Sequence, residues 1–374
     1  MSGLPIRQPE REIDALRRWL AEEGVKGNEM SKSTTERPVD RPGQAMAGTL
    51  RRQGRHIMTN WIRELALLPV IVLLLVIGAF VNPAFLTVDN FINVAQESAA
   101  LGAVVVAETL ILLTGKFDLS LQSTYGLAPM VGALLIVSKD GQGLGTDWNP
   151  FLGIAIVLLV GLAVGALNGF LVIKLGFNAF IFTLAMLILL AGIQVGIVGG
   201  RTVYHLPAAY IYLGSQYFLG VPVSVWVTGM IFLLSALFLR YHRIGRAIYA
   251  IGGNTEAARA AGIHVDRVRI GVFIVASLLA ALAGLMTAGQ VVAVTADQGN
   301  NLIFSVFAAA VIGGISLDGG RGRMVGALTG VILLALVTNI LILSQIQTFW
   351  IDAATGLIIL IALALARLIG TERG

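Results

Sequence analysis

The chain has 374 residues, of which 56% are hydrophobic and only 13% charged, with a mean hydropathy of +0.84. An ordinary soluble domain carries roughly 25% charged residues, so this composition excludes a globule covered by water on all sides, and it is too apolar for a disordered chain. The absence of cysteine excludes a disulfide scaffold, a thiol nucleophile, Cys-ligated zinc and an iron–sulfur cluster.

The net charge of +5 is unevenly placed: residues 1–63 hold 12 of the 26 Lys and Arg and 8 of the 21 Asp and Glu. That stretch reads as a polar, cytoplasmic, partly disordered tail rather than a nucleic-acid surface. It lacks the short apolar core and small-residue cleavage site of a secretory signal. Within it, Glu10–Glu23 can form a short amphipathic helix with Ile13, Leu16 and Leu20 on one face, and Ser31–Gly48 reads as linker.

From residue 64 to 369 the chain reads as one membrane domain. A helix needs about 20 apolar residues to cross a bilayer core. Ten segments qualify: 64–81, 95–114, 122–137, 151–173, 178–199, 223–239, 270–292, 303–317, 324–343 and 350–366. The predicted fold is all-α and polytopic, with about ten transmembrane helices. The third and eighth are short and read as broken or re-entrant segments.

Charge placement orients these spans. With the N-terminus inside, the inner side holds Lys116, Lys174, Arg240, Arg243, Arg246, Arg259, Arg267, Arg269, Arg321, Arg323, Arg367 and Arg373, whereas Lys139 and Arg201 fall outside. This asymmetry predicts that both termini are cytoplasmic. Small-residue steps (Gly161, Gly165 and Gly169, then Gly326 and Gly330) predict close helix packing, as a dimer seam or within the bundle.

Motifs for chemistry are missing. Gly115-Lys116 lacks the rest of a phosphate-binding loop, and the four histidines have no metal-ligand spacing. Neither a nucleophile elbow nor a zinc-protease motif is present. The expectation is a non-enzymatic chain with no metal and no cofactor of its own. What remains is polar residues inside apolar runs, which default to functional candidates. Glu108, Asp118, Ser120, Gln122 and Asn168 are the predicted substrate pathway, with Asp118 and Ser120 in a polar break (GKFDLSLQS). Gln194 lies inside the fifth span, and Gln290 and Asn339 sit near span ends. Amides and hydroxyls donate and accept without net charge, which suits a hydroxyl-rich neutral solute.

The loop 240–269 is long for a compact membrane domain. Asn254 can cap a short helix over Thr255–Ala261 that Gly262 can end. Flanked by arginines outside the membrane, it reads as a docking segment.

At this point the residues carry a family resemblance. Leu65–Leu368 resembles the membrane permease of an ATP-binding-cassette importer of the ribose- and xylose-type sugar group. GRAIYAIGGNTEAARAAGI (Gly245–Ile263) resembles the stretch that couples such permeases to their ATPase, which implies coupling roles for Asn254, Glu256, Ala257, Ala258, Arg259 and Gly262. LTGKFDLSLQS, LNGFLV and AAAVIGGISLDGGRG are similar to three further blocks. The chain departs from the pattern at Asn178-Ala179, where a Pro-Pro pair is usual, at NLIFSVFAA from Asn301, and at Gln122, where glycine is usual. The resemblance implies a transport subunit in a bacterial plasma membrane. It also implies a separate ATP-binding subunit holding ATP and Mg, a sugar-binding protein, and a second permease copy in a homodimer. The alternative is a secondary transporter or channel, for which ion-coupling acids in paired inverted repeats would be the sign.

Overall fold

The structure, a computed structural model, describes residues 67–347 and, beyond them, 349–351, 353–354, 356–357 and 360. The expected tail helix and linker lie outside the described residues, as does most of the last predicted span.

Twelve α-helices follow in order among the described residues: α1 (Leu68–Val81), α2 (Val88–Leu113), α3 (Leu121–Ile136), α4 (Pro150–Ile173), α5 (Ala179–Val198), α6 (Ala208–Ser215), α7 (Val223–Tyr241), α8 (Arg243–Gly253), α9 (Thr255–Ala260), α10 (Val265–Val291), α11 (Leu302–Ile312) and α12 (Met324–Leu343). Nine coincide with predicted spans. Of these α2, α4, α5, α7, α10 and α12 are long and apolar enough to cross a membrane, while α1, α3 and α11 are shorter. The chain is an all-α polytopic membrane protein. Its only described sheet is the two-stranded hairpin β1 (Tyr217–Phe218) and β2 (Val221–Pro222), in the register Tyr217↔Pro222.

Two boundaries differ from the sequence reading for local reasons. Helix α2 starts seven residues earlier than expected, at Val88, because the Thr87 hydroxyl accepts from the Asn90 amide and caps it. The apolar run 303–317 stops being helical at Ile312, where Gly313 and Gly314 follow and Gly314 takes φ +78°. Eleven residues rise only about 16 Å, roughly half of a 30 Å core.

Helix α2 is the centre: from Ala99 to Leu113 every residue except Leu101 is buried. It packs against α10, α11 and α12 in the largest core cluster, which includes Leu112, Phe273, Ala309 and Ala327. Helix α5 lies outside and leaves Phe180, Ile181, Ile188 and Leu189 exposed, as a lipid-facing helix does. The small-residue stripe of α4 is spent within the chain. A Cβ on Gly165 would come within 2.7 Å of the Ile274 Cα and of the Phe273 carbonyl of α10. Gly330 of α12 likewise meets the Ala309 carbonyl of α11.

The connections gather at two ends. Break 114–120, Lys174, helices α8 and α9 and loop 313–323 meet at the arginine-rich end, where Gly320 N donates to Leu113 O (3.0 Å) and the Tyr249 hydroxyl to Gly322 O (3.0 Å). At the opposite end Arg201 Nη1 donates to Gln142 Oε1 (2.7 Å) and Tyr204 N to Gly141 O (2.9 Å).

Candidate functional site

The polar break between α2 and α3 is a knot of buried side chains. Asp118 Oδ1 accepts from both the backbone N (3.0 Å) and the hydroxyl of Ser120. Asn168 Nδ2, from α4, donates to Ser120 Oγ at 2.7 Å and reaches Asp118 Oδ2 at 3.5 Å. Glu108 Oε1, from α2, accepts from Asp118 N at 3.4 Å, and Thr183 Oγ1 of α5 accepts from Leu119 N at 3.1 Å. Glu108, Asp118, Ser120 and Asn168 are all fully buried. Non-helical backbone at this depth needs internal partners, and these side chains supply them. Phe117 in the same break packs against Phe307 of α11 (ring centroids 6.0 Å apart) and Phe180 of α5 (6.4 Å). So four of the five predicted pathway residues do come together, as a joint that ties α2, α3 and α4 rather than as the wall of an open cavity.

The fifth, Gln122, has a different task. Its Oε1 accepts from Ile303 N at 3.2 Å and so serves the first turn of α11. Two more glutamines act alike. Gln194 Nε2 donates to the carbonyls of Gln298 (3.2 Å) and Thr295 (3.4 Å), and Gln298 Nε2 donates to those of Gly284 (3.0 Å) and Tyr125 (3.2 Å). The segment 292–301 therefore turns back from the end of α10 into the bundle. Tyr125 needs this donor because Pro129, four residues on, has no N–H to give it. The sequence reading missed Gln298, whose signal was the interior Pro129 together with a polar run before a short apolar one.

Beside this segment lies a cavity of about 330 Å³, lined by residues of α3, α10, α11 and the turned-back loop. Its polar side chains are amides and hydroxyls, among them Tyr125, Gln298, Asn300, Asn301 and Ser305, and none of its lining residues is charged.

At the arginine-rich end, Asn254 Oδ1 accepts from Ala257 N at 2.9 Å and caps α9, and Gly262 (φ +80°) follows its end. Glu256, Ala257, Ala260 and Ala261 are exposed. Ala258 is not: it is buried against Ile251 and Val265 of the same chain, because it falls on the inner face of this short helix. Arg259 is exposed and paired with Asp266 (3.1 Å), which also holds Lys174 (3.0 Å).

One residue joins the two regions. Arg269 Nη2 donates to Thr255 Oγ1 at the start of α9 and to Thr114 O at the end of α2, both at 3.0 Å. Nearby, partial burial and then the Arg269 guanidinium hold the Lys116 ammonium below the usual lysine range. In the sequence Arg269 was one basic residue among several of its loop, and nothing in one dimension pairs it with Thr114.

No group of His, Asp and Glu that could hold a metal ion is found among the described residues.

Comparison with known proteins gives a family match over residues 90–363, to the family described as branched-chain amino acid transport system / permease component. The ribose import permease protein of Escherichia coli (strain K12) is 33% identical over 314 residues, which is 83% of this chain and 95% of that protein. Its Bacillus subtilis (strain 168) counterpart is 34% identical over 297 residues, 79% of this chain and 90% of the relative. The autoinducer 2 import system permease protein of Escherichia coli (strain K12 / DH10B) is 33% identical over 301 residues, 80% and 86% of the two chains. No solved structure matches the chain.

Proposed function

The chain belongs to the branched-chain amino acid transport system / permease component family, and on that footing we propose that it is the translocation subunit of an ATP-driven importer of a monosaccharide. The observation that carries the sugar reading is the similarity to ribose import permeases over nearly their whole length.

ATP and Mg sit on a separate ATPase subunit, in keeping with the lack of a phosphate-binding loop here. A secreted or periplasmic binding protein delivers the sugar to the face opposite the arginine-rich end. Two permease copies enclose the path, in a bacterial plasma membrane, with both termini cytoplasmic. Basic residues at one end favour that orientation.

In this reading helix α9 docks on the ATPase. Its exposed Glu256, Ala257, Ala260 and Ala261 form the contact. Asn254 and Gly262 fix its ends, while Arg259 and the buried Ala258 hold it to the bundle. Movement imposed on α9 passes through Arg269 to the end of α2 and the break that follows. Glu108, Asp118, Ser120 and Asn168 keep that break as one rigid joint, and Gln122 ties it to α11. By linkage, ATP and the loaded binding protein each favour one permease conformation over another, or neither would drive transport. Compared with a channel or secondary transporter, this reading gives a task to the capped, outward-facing α9.

The test is reconstitution. The chain is co-expressed with an ATPase subunit and a sugar-binding protein from the same genome, purified and placed in proteoliposomes. ATP-dependent uptake of D-ribose or another monosaccharide is the expected result. ATP-independent passage by the chain alone would favour the channel reading.

A further inference from the structure

We infer that the cavity beside Tyr125 and Asn301 is a solute-contact site that accepts a neutral, polyhydroxylated molecule and rejects zwitterions and ions. This deepens the permease reading above and rests on it.

The site is built by an unusual piece of backbone. Segment 292–301 leaves the end of α10, turns back into the bundle, and delivers the start of α11 beside Gln122. At membrane depth, irregular backbone is tolerated where it is buried in protein or lines a water-filled cavity. Here the segment is held by protein on one side and borders a cavity on the other. On the protein side, Gln194 and Gln298 take up the carbonyls of Thr295, Gln298, Tyr125 and Gly284. On the other side the segment opens on the cavity of about 330 Å³, near the lower end of the roughly 300–1,000 Å³ usual for small-molecule sites.

The chemistry of the wall sets the ligand class. Asn300, Asn301 and Ser305 carry no side-chain hydrogen bond among the described residues, so an amide or hydroxyl from each remains for a ligand. Tyr125 and Thr287 share one hydroxyl–hydroxyl bond, which leaves acceptor capacity on the pair. Amides and hydroxyls donate and accept alike, which matches the mixed donors and acceptors of sugar hydroxyls. With no charged residue in the lining, an amino acid would bring an ammonium and a carboxylate to a wall that offers no counter-charge to either, whereas a neutral polyol needs none. A larger cavity of about 450 Å³ between α1, α2, α7 and α12 offers no such wall: Ile71, Phe91, Phe232 and Leu336 make it apolar.

Asn301 also has φ +62°, a conformation that an added Cβ disfavours and glycine accepts. Asn301→Gly therefore deletes the amide without straining the turn. Ser305→Ala removes a hydroxyl from α11, and Ser305→Asp adds a charge to the neutral wall.

The experiment uses the complete importer in proteoliposomes, with labelled D-ribose, D-xylose, D-galactose and L-leucine as probes. Asn301→Gly and Ser305→Ala are each expected to lower sugar uptake about threefold to tenfold, the range for one lost neutral hydrogen bond. Ser305→Asp is expected to lower it further, with the importer still assembled on size exclusion. If the wild-type importer carries a sugar and Asn301→Gly/Ser305→Ala carries it at an unchanged rate and half-saturating concentration, the cavity assignment is wrong and the importer reading stands. If the wild-type importer carries leucine and none of the sugars, the sugar reading itself is wrong, and the neutral-wall argument falls with it.

Discussion

Arg269 and Thr255 are joined by a 3.0 Å hydrogen bond from the guanidinium Nη2 to the threonine hydroxyl, and the same nitrogen holds the Thr114 carbonyl at 3.0 Å. A single planar group thus connects the first residue of the outward-facing α9 to the residue that ends the most buried helix of the bundle. Hydrogen bonds from a charged donor are worth about 1.5–3 kcal/mol.

Arg269→Met removes both bonds while keeping an apolar stem of similar reach. In the reconstituted importer we expect ATP hydrolysis to persist and uptake per ATP hydrolysed to fall about tenfold, taking 1.4 kcal/mol as a factor of ten. Arg269→Lys should recover part of the coupling, because an ammonium can serve one acceptor but lacks the planar fork. Unchanged coupling in Arg269→Met would remove the bridge from the mechanism.

Asp118→Asn tests the joint. The carboxylate accepts from Ser120 N, Ser120 Oγ and Asn168 Nδ2. An amide offers one acceptor oxygen and turns an NH2 group toward these donors, so at least one bond is lost. Lower uptake with normal membrane levels is expected, together with a lower melting temperature. A drop in uptake with unchanged stability would instead favour direct contact with solute.

Much of this architecture was legible in one dimension. The long apolar runs fix six helices because length and hydropathy alone decide whether a helix can cross a membrane. The α9 cap was legible because Asn254 acts on a residue three positions away. Less legible was anything set by distant partners. Gln122 and Gln194 stood out as amides within or beside apolar runs, but their task depends on a backbone segment more than a hundred positions further along the chain. Ala258 was assigned to the docking segment by its small size, which marks close approach without saying to what, and in the structure its close neighbours are Ile251 and Val265. Short α6 and the hairpin β1–β2 carry no periodic signal long enough to register.

Helix α9 itself is tested by a pair of substitutions. Ala257 is exposed, whereas Ala258 is 4% exposed and packed on Ile251 and Val265. Ala257→Trp should block ATPase association and leave the isolated permease as stable as before. Ala258→Trp should overpack its own site, typically at a cost of about 1–3 kcal/mol, and lower the permease melting temperature even without a partner. Pull-down and thermal melts separate the two; full assembly in Ala257→Trp would take α9 out of the interface.

Orientation is open to direct labelling, since the chain has no native cysteine. Gln216 lies in the connection before α7, and Gly253 ends α8 at the opposite, arginine-rich end; both are exposed. In intact cells a membrane-impermeant maleimide should modify Gln216→Cys, and Gly253→Cys only after lysis. The reverse pattern would invert the topology and the side on which partners dock.

The final prediction concerns the turned-back segment. Pro129 has no N–H, so the Tyr125 carbonyl lacks its helical partner, and Gln298 Nε2 supplies one at 3.2 Å while also holding Gly284 O at 3.0 Å. Gln298→Ala should therefore leave the Tyr125 carbonyl unsatisfied inside the bundle and remove a second bond to Gly284 O, which keeps its own helical donor within Val265–Val291, and lower stability by about 1–2 kcal/mol on the scale of interhelical hydrogen bonds in membranes. Pro129→Ala alone returns an N–H to Tyr125, which the glutamine already serves, so its own effect should be small. Combined with Gln298→Ala, however, it supplies the missing donor for the orphaned Tyr125 carbonyl. The double variant should then be more stable than the sum of the single effects, as residues sharing one acceptor couple rather than add. Thermal melts in detergent of the wild type, both singles and the double give the coupling directly. Strict additivity would mean that the Gln298–Tyr125 bond contributes nothing that the helix could replace, and that segment 292–301 is held by its other contacts.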